Sequence, residues 1–336
     1  MNRPLIWIID EEWPDHDTEI EIVRAAFPFA DIRESGYDWH ADLAGFGHRA
    51  DVIIAQVYAE LPAQLINSLD HCRGIALMGG GFDRVDVSAA TQRGIPICNV
   101  QGYCAEDIAD YVIQAVLHSL KPLDALDATQ RRLPWGLPAI PELRPRPSSC
   151  TLHIVGCGRI GAVVARKAEA LGMCVTATDT AARASELPGI ELVDLQAGLA
   201  GADFVSLHCP LTPSTTGLIS SPELRTMRPG AVLINTARGA LIDEAALAQA
   251  LNSGRLAGAV LDVVCNEPPD RSSPIFGARN ALITPHISYA SSDSLAELRR
   301  RAVNNALAML DGRLPSDCVN PSLVDTQLVR PIGVLQ

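Results

Sequence analysis

Residues 151–179 read TLHIVGCGRIGAVVARKAEALGMCVTATD, and this stretch decides the fold of the chain. A short apolar run that ends at Val155 leads into three glycines with the spacing Gly-x-Gly-x-x-Gly. A helical run rich in Ala and Val follows, and a second apolar run ends at Asp179. This order of patterns predicts a β-strand, a glycine turn, an α-helix and a second parallel strand.

The three glycines each have a physical role if the turn binds a dinucleotide. Gly156 allows the tight turn after the strand, Gly158 lets the backbone approach a pyrophosphate, and Gly161 lets the helix pack closely on the sheet. The amides that begin the helix then face an anion at the positive end of its dipole. Glycine-rich turns also arise for steric reasons alone, but the acidic Asp179 lies 18 positions after Gly161. This context favours a dinucleotide site.

Asp179 also predicts which dinucleotide binds. A carboxylate at the end of the second strand accepts hydrogen bonds from a ribose 2′-hydroxyl and repels a 2′-phosphate. The three residues that follow it are uncharged, and the nearest cation after them is Arg183. We therefore expect NAD rather than NADP as the cofactor.

Composition limits the classes of function. With 336 residues and 48% hydrophobic content, we expect two domains with separate cores. A net charge of -12 argues against a nucleic acid or an anionic membrane surface as partner. No segment has the length and apolar content of a signal peptide or a membrane span. The nine cysteines include no Cys-x-x-Cys pair, so we expect a cytoplasmic protein with reduced, mostly buried thiols and no metal site.

Apolar runs alternate with amphipathic segments along the chain, which predicts an α/β fold with parallel sheets. In the first part, the predicted strands are 5–9, 52–55, 75–78 and 95–98, and the predicted helices are 17–27, 63–69 and 85–93. After residue 150, the further predicted strands are 174–178, 204–207, 232–234, 259–261 and 282–284, with a helix at 244–251.

Three more segments predict how the domains are connected. Residues 104–120 have a long helical pattern, and the proline-rich residues 121–149 predict a hinge helix and an arm that wraps a partner subunit or the domain boundary. A flexible linker is the alternative for this arm. Residues 292–310 predict a late helix that returns to the first domain. We therefore expect two Rossmann-like or flavodoxin-like domains: a discontinuous substrate domain (1–103 and 293–336) and an NAD-binding domain (104–292).

Arg238, Glu267 and His286 each follow a predicted strand. Because the carboxyl ends of parallel strands meet at one edge of a sheet, we expect these side chains to converge. Arg238 offers a planar fork for a carboxylate and a carbonyl oxygen, His286 can exchange a proton near neutral pH, and Glu267 can orient the imidazole. Each alone could be an ion pair, a satisfied histidine or a turn residue. Together they predict catalysis on a 2-oxo acid and its alcohol, with hydride from NADH and no metal.

These motifs resemble those of the D-isomer-specific 2-hydroxyacid dehydrogenase family. The similar segments are SLHCPLTP (206–213), NTARGALID (235–243), LDVVCNEP (261–268) and TPHIS (284–288). GFDRVD (81–86) and GIPICNV (94–100) extend the resemblance to nearly the whole chain. Residues 103–110 and the segment after His286 are most similar to the C-terminal-binding-protein-like branch.

The resemblance implies that Arg238 clamps the substrate and that Glu267 and His286 act as the acid/base pair. The implied cofactor contacts are Gly156, Gly158, Arg159, Ile160, Gly161, Asp179, His208, Cys209, Pro210, Thr215, Thr236, Ala237, Arg238, Asp262 and His286. The implied substrate contacts are Gly80, Gly81, Phe82, Arg238, His286 and Tyr289, with the amides of 80–82 holding the carboxylate. The family also implies a homodimer in which the 121–149 arm crosses the interface.

Some residues depart from relatives within this family. Leu77 stands where phosphoglycerate dehydrogenases and C-terminal-binding proteins carry an Arg, so we expect an unphosphorylated substrate. Tyr289 replaces a Trp of the co-repressors, and Glu267 differs from the Gln of formate dehydrogenases. The leading hypothesis is an NAD-dependent D-2-hydroxyacid dehydrogenase, and the alternative is an NADH-sensing interaction protein with little catalytic role. The intact Arg, Glu and His favour the enzyme, because a sensor does not need them.

Overall fold

The computed structural model describes residues 3–130, 135–140, 142–179 and 190–320. The strands are β1 (Leu5–Ile9), β2 (Asp31–Ser35), β3 (Val52–Gln56), β4 (Ile75–Met78), β5 (Ile97–Cys98), β6 (Thr151–Val155), β7 (Cys174–Thr178), β8 (Glu191–Leu192), β9 (Phe204–Leu207), β10 (Val232–Asn235), β11 (Gly258–Leu261) and β12 (Ala281–Ile283). The helices are α1 (Asp17–Ala26), α2 (His40–Gly45), α3 (Ala63–Ser68), α4 (Val87–Gln92), α5 (Ala105–Leu120), α6 (Leu123–Gln130), α7 (Arg159–Ala170), α8 (Leu195–Gly201), α9 (Ser221–Thr226), α10 (Glu244–Asn252) and α11 (Ser292–Leu310).

The chain divides into two compact units. The discontinuous unit comprises Met1–Tyr103 and Ser291–Gln336, and the central unit comprises Cys104–Ala290. Each unit has one sheet, and every described strand pair is parallel. The predicted α/β class with two parallel sheets is confirmed.

The sheet of the discontinuous unit has the order β2-β1-β3-β4-β5. Alternate residues along its strands point to opposite faces, and both faces are buried. Trp7, Ile53 and Leu77 pack in the apolar cluster on one face. Ile6 and Ile54 pack in the cluster on the other face. Because both faces are covered, these strands read as continuous apolar runs rather than as an alternation.

Helix α11 covers the face that carries Ile6 and Ile54. It thereby joins the late part of the chain to the unit formed by residues 1–103. A capping box begins the helix: Ser294 N donates to Ser291 Oγ at 3.0 Å, and Ser291 N donates to Ser294 Oγ at 2.9 Å. Its apolar stripe, which includes Leu298 and Ala302, packs in the same cluster as Ile6. One sheet is therefore completed by both ends of the described chain.

A buried ion pair joins α11 to α1. Arg299 donates to the fully buried carboxylate of Glu19 through Nε at 2.6 Å and through Nη2 at 2.5 Å. The guanidinium also lies over the ring of Trp13, 4.9 Å from its centre. Because removal of one partner leaves a charge buried and unpaired, a pair of this kind typically costs about 3–5 kcal/mol to break.

The sheet of the central unit has the order β12-β11-β10-β9-β6-β7-β8. Strand β6 lies between β7 and β9. After β6 the chain forms β7 and β8 on one side of it, and then forms β9 to β12 on its other side. In open parallel sheets, ligands bind outside the carboxyl ends of the strands at such a reversal. The glycine turn at 156–161 follows β6 at this point.

Several elements differ from the sequence predictions. Strand β2 was not predicted because its sequence, DIRES, is polar. The strand lies at the edge of the sheet, where its side chains need not all be apolar. Helix α6, by contrast, lies in the segment for which the sequence predicted a hinge helix and an arm. Of the nine free cysteines, four are buried, three are partly buried and two are exposed, so the expectation that most are buried is wrong.

Three predicted features lie outside the described residues: Arg183 with its neighbours at 180–182, parts of the arm at 131–134 and 141, and the tail from 321 onward. Among the residues that are described, no helix combines the length and apolar character needed to cross a bilayer.

A buried histidine, His153, lies inside the central unit on β6. Thr178 Oγ1 donates to Val193 O at 2.8 Å, so the same oxygen accepts from His153 Nε2 at 3.2 Å. Nδ1 of the ring, 2.9 Å from Thr176 Oγ1, is then the acceptor. A Cβ on Gly198 of α8 would lie 2.1 Å from the ring, so this helix packs directly on the imidazole. Burial lowers the pKa of His153 to about 4.

We expect His153 to make the central unit sensitive to acid. The unfolded chain takes up the proton near the ordinary pKa of 6.5, whereas the folded chain does so near 4, so stability is full above pH 6.5 and is lost as pH falls toward 4. The loss is at most about 3 kcal/mol. His153→Gln can keep both hydrogen bonds and should reduce the difference in unfolding free energy between pH 7 and pH 4.5, measured with urea.

The matched control is His40→Gln, at an exposed histidine of the discontinuous unit. His208, whose pKa burial also lowers to about 4, remains in both variants and leaves part of the acid sensitivity. An unchanged pH dependence in His153→Gln would contradict this prediction.

Candidate active site

The glycine turn after β6 is held by contacts that leave no room for a side chain at its first and third glycines. Gly156 has φ +94°, and a Cβ there would lie 2.6 Å from Cys209 N. A Cβ on Gly161 would lie 2.3 Å from Gly156 O. The turn therefore packs against the backbone after β9, and α7 packs against the turn. At Gly158 a Cβ would meet no described atom within 4 Å, so this position faces open space.

Asp179 connects the end of β7 to the glycine turn. Its Oδ2 accepts a hydrogen bond from Cys157 N at 2.7 Å. The carboxylate therefore has a structural role in addition to its predicted contact with a ribose. Arg159 and Ile160 form the first turn of α7, whose N-cap is Gly158. The positive end of the helix dipole thus lies at the open side of the turn.

The described residues fit a bound dinucleotide. The open side at Gly158 leaves space for a pyrophosphate to approach the backbone. Thr236, at the end of β10, has a buried Oγ1 without a hydrogen-bond partner in the described part of the chain. A buried hydroxyl without a partner is costly, so its position favours a ligand that supplies one.

The remaining predicted cofactor residues follow β9 and β10. His208 Nε2 lies 2.8 Å from Ser206 Oγ, and burial keeps this imidazole neutral by lowering its pKa to about 4. Thr215 Oγ1 donates to Pro210 O at 2.7 Å, so its hydroxyl shapes the loop after β9. Cys209 and Ala237 are partly buried and pack against the apolar core of the central unit.

Arg238, Glu267 and His286 follow the neighbouring strands β10, β11 and β12. Glu267 and His286 are in direct contact, since Glu267 Oε2 lies 2.7 Å from His286 Nδ1. The other carboxylate oxygen, Oε1, accepts from Val264 N at 3.1 Å. Both oxygens of Glu267 are thus oriented by the protein.

Arg238 is placed beside this pair by the backbone. A Cβ on the next residue, Gly239, would lie 2.0 Å from the carbonyl carbon of Val264, so the loop after β10 touches the loop that leads to Glu267. The buried Asn235 fixes the loop of Arg238, because its Nδ2 donates to Arg238 O at 2.8 Å and its Oδ1 accepts from Ala237 N at 3.0 Å. Gly239 is required because any side chain there would overlap the backbone of Val264.

Neighbouring charges keep Glu267 ionised. Burial alone would raise the pKa of this carboxyl, but the hydrogen bond to His286 and the charge of the imidazolium outweigh it. The charge of Arg238 lowers the pKa further, and the net pKa lies below its usual value. Glu267 is therefore a carboxylate throughout the neutral range.

The buried Asp262 organises the loop that carries His286. Only 1% of Asp262 is exposed. Its Oδ1 accepts from Thr284 Oγ1 at 2.6 Å and from Ile287 N at 2.9 Å, and its Oδ2 accepts from Ser288 N at 2.8 Å. His286 N donates to the backbone oxygen of Asp262 at 2.9 Å, and His286 adopts φ +55°. These bonds hold a backbone conformation that a residue with a Cβ rarely adopts.

Helix α5 adds a residue that the sequence did not suggest. Tyr111 Oη lies 2.5 Å from Thr284 Oγ1. Because the Thr284 hydroxyl donates to Asp262, the tyrosine must be the donor in this contact. The two residues are 173 positions apart, so no local pattern could have linked them. Tyr289, which was predicted, packs edge-on against His286 with ring centres 6.1 Å apart.

The predicted substrate residues Gly80, Gly81 and Phe82 belong to the discontinuous unit, and their contact with a substrate stays a prediction. Asn99 holds their loop, because its Nδ2 donates to Gly80 O at 2.7 Å. Phe82 is exposed. The described residues contain no group of His, Cys, Asp or Glu side chains that could hold a metal ion.

Leu77, on which the expectation of an unphosphorylated substrate was based, lies within β4. It is 1% exposed and packs in an apolar cluster of the sheet. This position therefore supplies no cation, and the unphosphorylated substrate stays a prediction.

Known proteins are similar to this chain in sequence and in fold. Residues 113–288 match the family described as D-isomer specific 2-hydroxyacid dehydrogenase, NAD binding domain. A glyoxylate reductase from Korarchaeum cryptofilum is 34% identical over 288 residues, 84% of this chain and 86% of that protein. A D-3-phosphoglycerate dehydrogenase from Mycobacterium tuberculosis is 34% identical over 299 residues, 85% of this chain and 56% of that protein. The crystal structure of a glyoxylate reductase from Paecilomyes thermophila has a TM-score of 0.83 at 28% identity and covers 96% of this chain and 100% of that one.

We expect the Tyr111–Thr284–Asp262 network to position His286. Thr284→Val removes the hydroxyl that links the tyrosine to the carboxylate, so the loop of His286 should lose its fixed geometry and kcat should fall about 10-fold. Thr284→Ser keeps the hydroxyl and should retain most of the turnover. Steady-state kinetics and the Kd for NADH check this, and the Kd should change less than twofold. An unchanged kcat in Thr284→Val would contradict the positioning role.

Proposed function

The chain belongs to the family of D-isomer specific 2-hydroxyacid dehydrogenases, and on that premise we propose that it interconverts an unphosphorylated 2-oxo acid and the corresponding D-2-hydroxy acid. It is an NAD-dependent oxidoreductase that acts on a CH–OH group. One observation carries the assignment of the site: the 2.7 Å contact between Glu267 and His286, with the loop of Arg238 packed beside it. This arrangement has the components that proton exchange with a hydroxyl requires.

The proposed roles follow from the geometry of these side chains. NADH, when bound at the glycine turn, supplies the hydride. Arg238 holds the carboxylate and the carbonyl oxygen of the 2-oxo acid through its planar donor fork. His286 gives its Nε2 proton to the carbonyl oxygen in reduction and takes it back in oxidation. Glu267, bonded to Nδ1, stabilises the charged imidazole and fixes its orientation.

Support for an unphosphorylated substrate comes from the loop that is proposed to bind the carboxylate. Residues 79–83 carry no cation, and the next residue, Arg84, is paired with Glu60 at 3.1 Å. A phosphate brought to this loop would lose hydration without gaining a charge-assisted hydrogen bond from it. Two of the similar proteins are named glyoxylate reductases, which supports a small 2-oxo acid.

The alternative is an NADH-sensing interaction protein of the C-terminal-binding-protein type. It needs the dinucleotide site of the central unit but has no use for an oriented carboxylate–imidazole pair. The contact of Glu267 with His286 therefore favours the enzyme. The resemblance to that branch and the cytoplasmic location stay predictions.

We further propose that the protein is a homodimer whose interface includes the described parts of the 121–149 arm. This segment has large apolar side chains in solvent, with Trp135 88% and Leu143 73% exposed. Leu123 and Leu137 are also exposed. A group of exposed apolar side chains in one segment is typical of a surface that another chain covers.

The experiment that tests the activity is a panel of 2-oxo acids with NADH, followed by absorbance at 340 nm. We expect glyoxylate and 2-oxo acids with small or apolar side chains to be reduced with a higher kcat/KM than 3-phosphohydroxypyruvate. If the phosphorylated compound is the best substrate, the proposed substrate class is wrong. If NADH binds tightly and no 2-oxo acid is reduced, the sensor replaces the enzyme as the better hypothesis.

The acid/base pair predicts how substitutions affect turnover and binding. Glu267→Gln removes the charge that stabilises and orients the imidazole of His286, so kcat for reduction should fall about 10-fold. His286→Ala should lower kcat by about 100-fold or more at every pH. NADH binding, measured by fluorescence, should survive both changes; full turnover in His286→Ala would falsify the assignment.

Asp179 predicts the choice between NADH and NADPH. Asp179→Asn can still accept from Cys157 N but loses the charge that repels a 2′-phosphate. The ratio of the Kd for NADPH to the Kd for NADH should therefore fall about 10-fold, on the order of 1–2 kcal/mol. Asp179→Ala also loses the contact with the turn and should weaken binding of both cofactors. Titrations of each variant with both cofactors check this. A wild-type protein that prefers NADPH would contradict the prediction.

The dimer is tested with Trp135→Asp combined with Leu143→Asp. Charges at these exposed apolar positions should destabilise the interface and shift the sedimentation coefficient from dimer to monomer. Phe29→Asp, at an exposed aromatic residue in the discontinuous unit, is the matched control and should leave the dimer intact. A wild-type protein that sediments as a monomer at micromolar concentration contradicts the proposal.

A further inference from the structure

The segment that follows α11 runs beside β5 in the discontinuous unit. Cys98 of β5 and Cys318 of this segment form an isolated antiparallel bridge. Two backbone hydrogen bonds flank the pair and leave the two cysteines directly opposite each other, without a hydrogen bond between their own backbones. The flanking bonds are Val319 N to Ile97 O at 2.8 Å and Asn99 N to Asp317 O at 3.3 Å.

This type of pair suits a disulfide bond. Residues opposed in this way have Cα atoms about 4.5 Å apart and side chains on the same face. Disulfides span Cα separations of about 4.4–6.8 Å. Cys98 and Cys318 both pack in the apolar cluster beneath α11. Cys98 Sγ lies 3.6 Å from Met309 Sδ, and Cys318 Sγ lies 3.2 Å from Asn320 Oδ1. The bridge between the two backbones places the two side chains side by side in the reduced protein.

Other contacts hold the segment at residues 317–320 in place without a disulfide. Asn320 Oδ1 accepts from Ile97 N at 2.9 Å, and Asn320 Nδ2 donates to Ile95 O at 3.0 Å. Arg301 Nη2 of α11 donates to Asp317 Oδ2 at 2.6 Å. Because these bonds already set the backbone, a bond between the sulfurs requires little movement of the chain.

The two thiols differ in reactivity. Cys318 is partly exposed, and the neighbouring Cys98 thiol lowers its pKa against the effect of burial. Cys98 is fully buried, and the Cys318 thiol and burial both raise its pKa. Cys318 is therefore the thiol that an oxidant reaches first, and Cys98 is the thiol that resolves the product.

We propose that Cys98 and Cys318 are a redox modification site and form a reversible disulfide that joins the segment at residues 317–320 to β5. With a small disulfide such as oxidised glutathione, the Cys318 thiolate attacks one sulfur and releases one glutathione thiolate. Cys98 then loses its proton, attacks Cys318 Sγ in the mixed disulfide and releases the second glutathione thiolate. Two protein thiols are oxidised and one glutathione disulfide is reduced to two thiols.

The disulfide acts on a strand that supports a predicted substrate loop. Asn99 directly follows Cys98, and its side chain holds Gly80 O. Asn305 Nδ2 of α11 donates to Asn99 O at 3.0 Å, so β5, the loop and the helix are already connected. A covalent bond at Cys98 closes a long loop of the chain and restricts the unfolded state. We therefore expect oxidation to raise the Tm of the discontinuous unit by about 3 °C or more.

The full-length protein with oxidised glutathione is the test. Thiol titration after denaturation should give seven thiols in place of the nine of the reduced chain. Peptide mapping without reductant should give a cross-link between Cys98 and Cys318, and dithiothreitol should remove both the cross-link and the rise in Tm. Nine remaining thiols, or a cross-link between other cysteines, would overturn the proposal.

Variants separate the role of Cys318, which attacks the oxidant, from that of Cys98, which resolves the mixed disulfide. In Cys98→Ser, Cys318 should stop at the mixed disulfide with glutathione, and in Cys318→Ser the buried Cys98 should stay reduced. Cys104→Ser is the matched control, since Cys104 lies on the same tryptic peptide as Cys98, and this variant should keep the cross-link. A stable glutathione adduct on Cys318 of the wild-type protein, without a cross-link, also contradicts the proposal.

Discussion

The close backbone contacts at Gly156 and Gly161 are the constraint on which the candidate site depends. A side chain at either position would overlap backbone atoms, at 2.6 Å from Cys209 N and at 2.3 Å from Gly156 O. These contacts bring α7 onto β6 and bring the turn onto the loop after β9. The N-terminus of α7 therefore lies where the strand order of the central sheet reverses, and an anion can meet its amides.

Titratable groups of the central unit differ in how their burial is compensated. Burial alone holds His153 and His208 neutral, and both have partners that a neutral ring can satisfy. Asp262 is also buried, but backbone amides and a hydroxyl satisfy its carboxylate, so it serves the loop of His286. Glu267 and His286 remain as the pair that can exchange a proton within a fixed geometry. This division separates His286, which contacts a carboxylate, from His153 and His208, which burial holds neutral.

The accuracy of the sequence predictions depended on how far apart the interacting residues lie. The strands of 5–9 and 75–78 were predicted with correct limits, because sheets buried on both faces give continuous apolar runs. The polar edge strand β2 gave no such run and was missed. Arg238, Glu267 and His286 were identifiable because each follows a predicted strand, and the carboxyl ends of parallel strands lie at one edge of the sheet. The burial of Leu77 in an apolar cluster was not predicted, because the sequence does not state the direction of a side chain within its strand.

The sequence by itself determined the α/β class, the glycine turn with Asp179 after it, and the three residues at successive strand ends. These depend on short-range patterns in which spacing along the chain sets the geometry. Only the tertiary structure decided that Tyr111 supports Asp262 through Thr284, that Asn99 holds Gly80, and that Cys98 lies opposite Cys318. Tyr111 and Cys318 meet partners that are distant in sequence, and such contacts arise only when packing of the whole sheet brings the segments together. Hydrogen bonds of this kind depend on atom positions within a few tenths of an ångström, which residue types and their order do not specify.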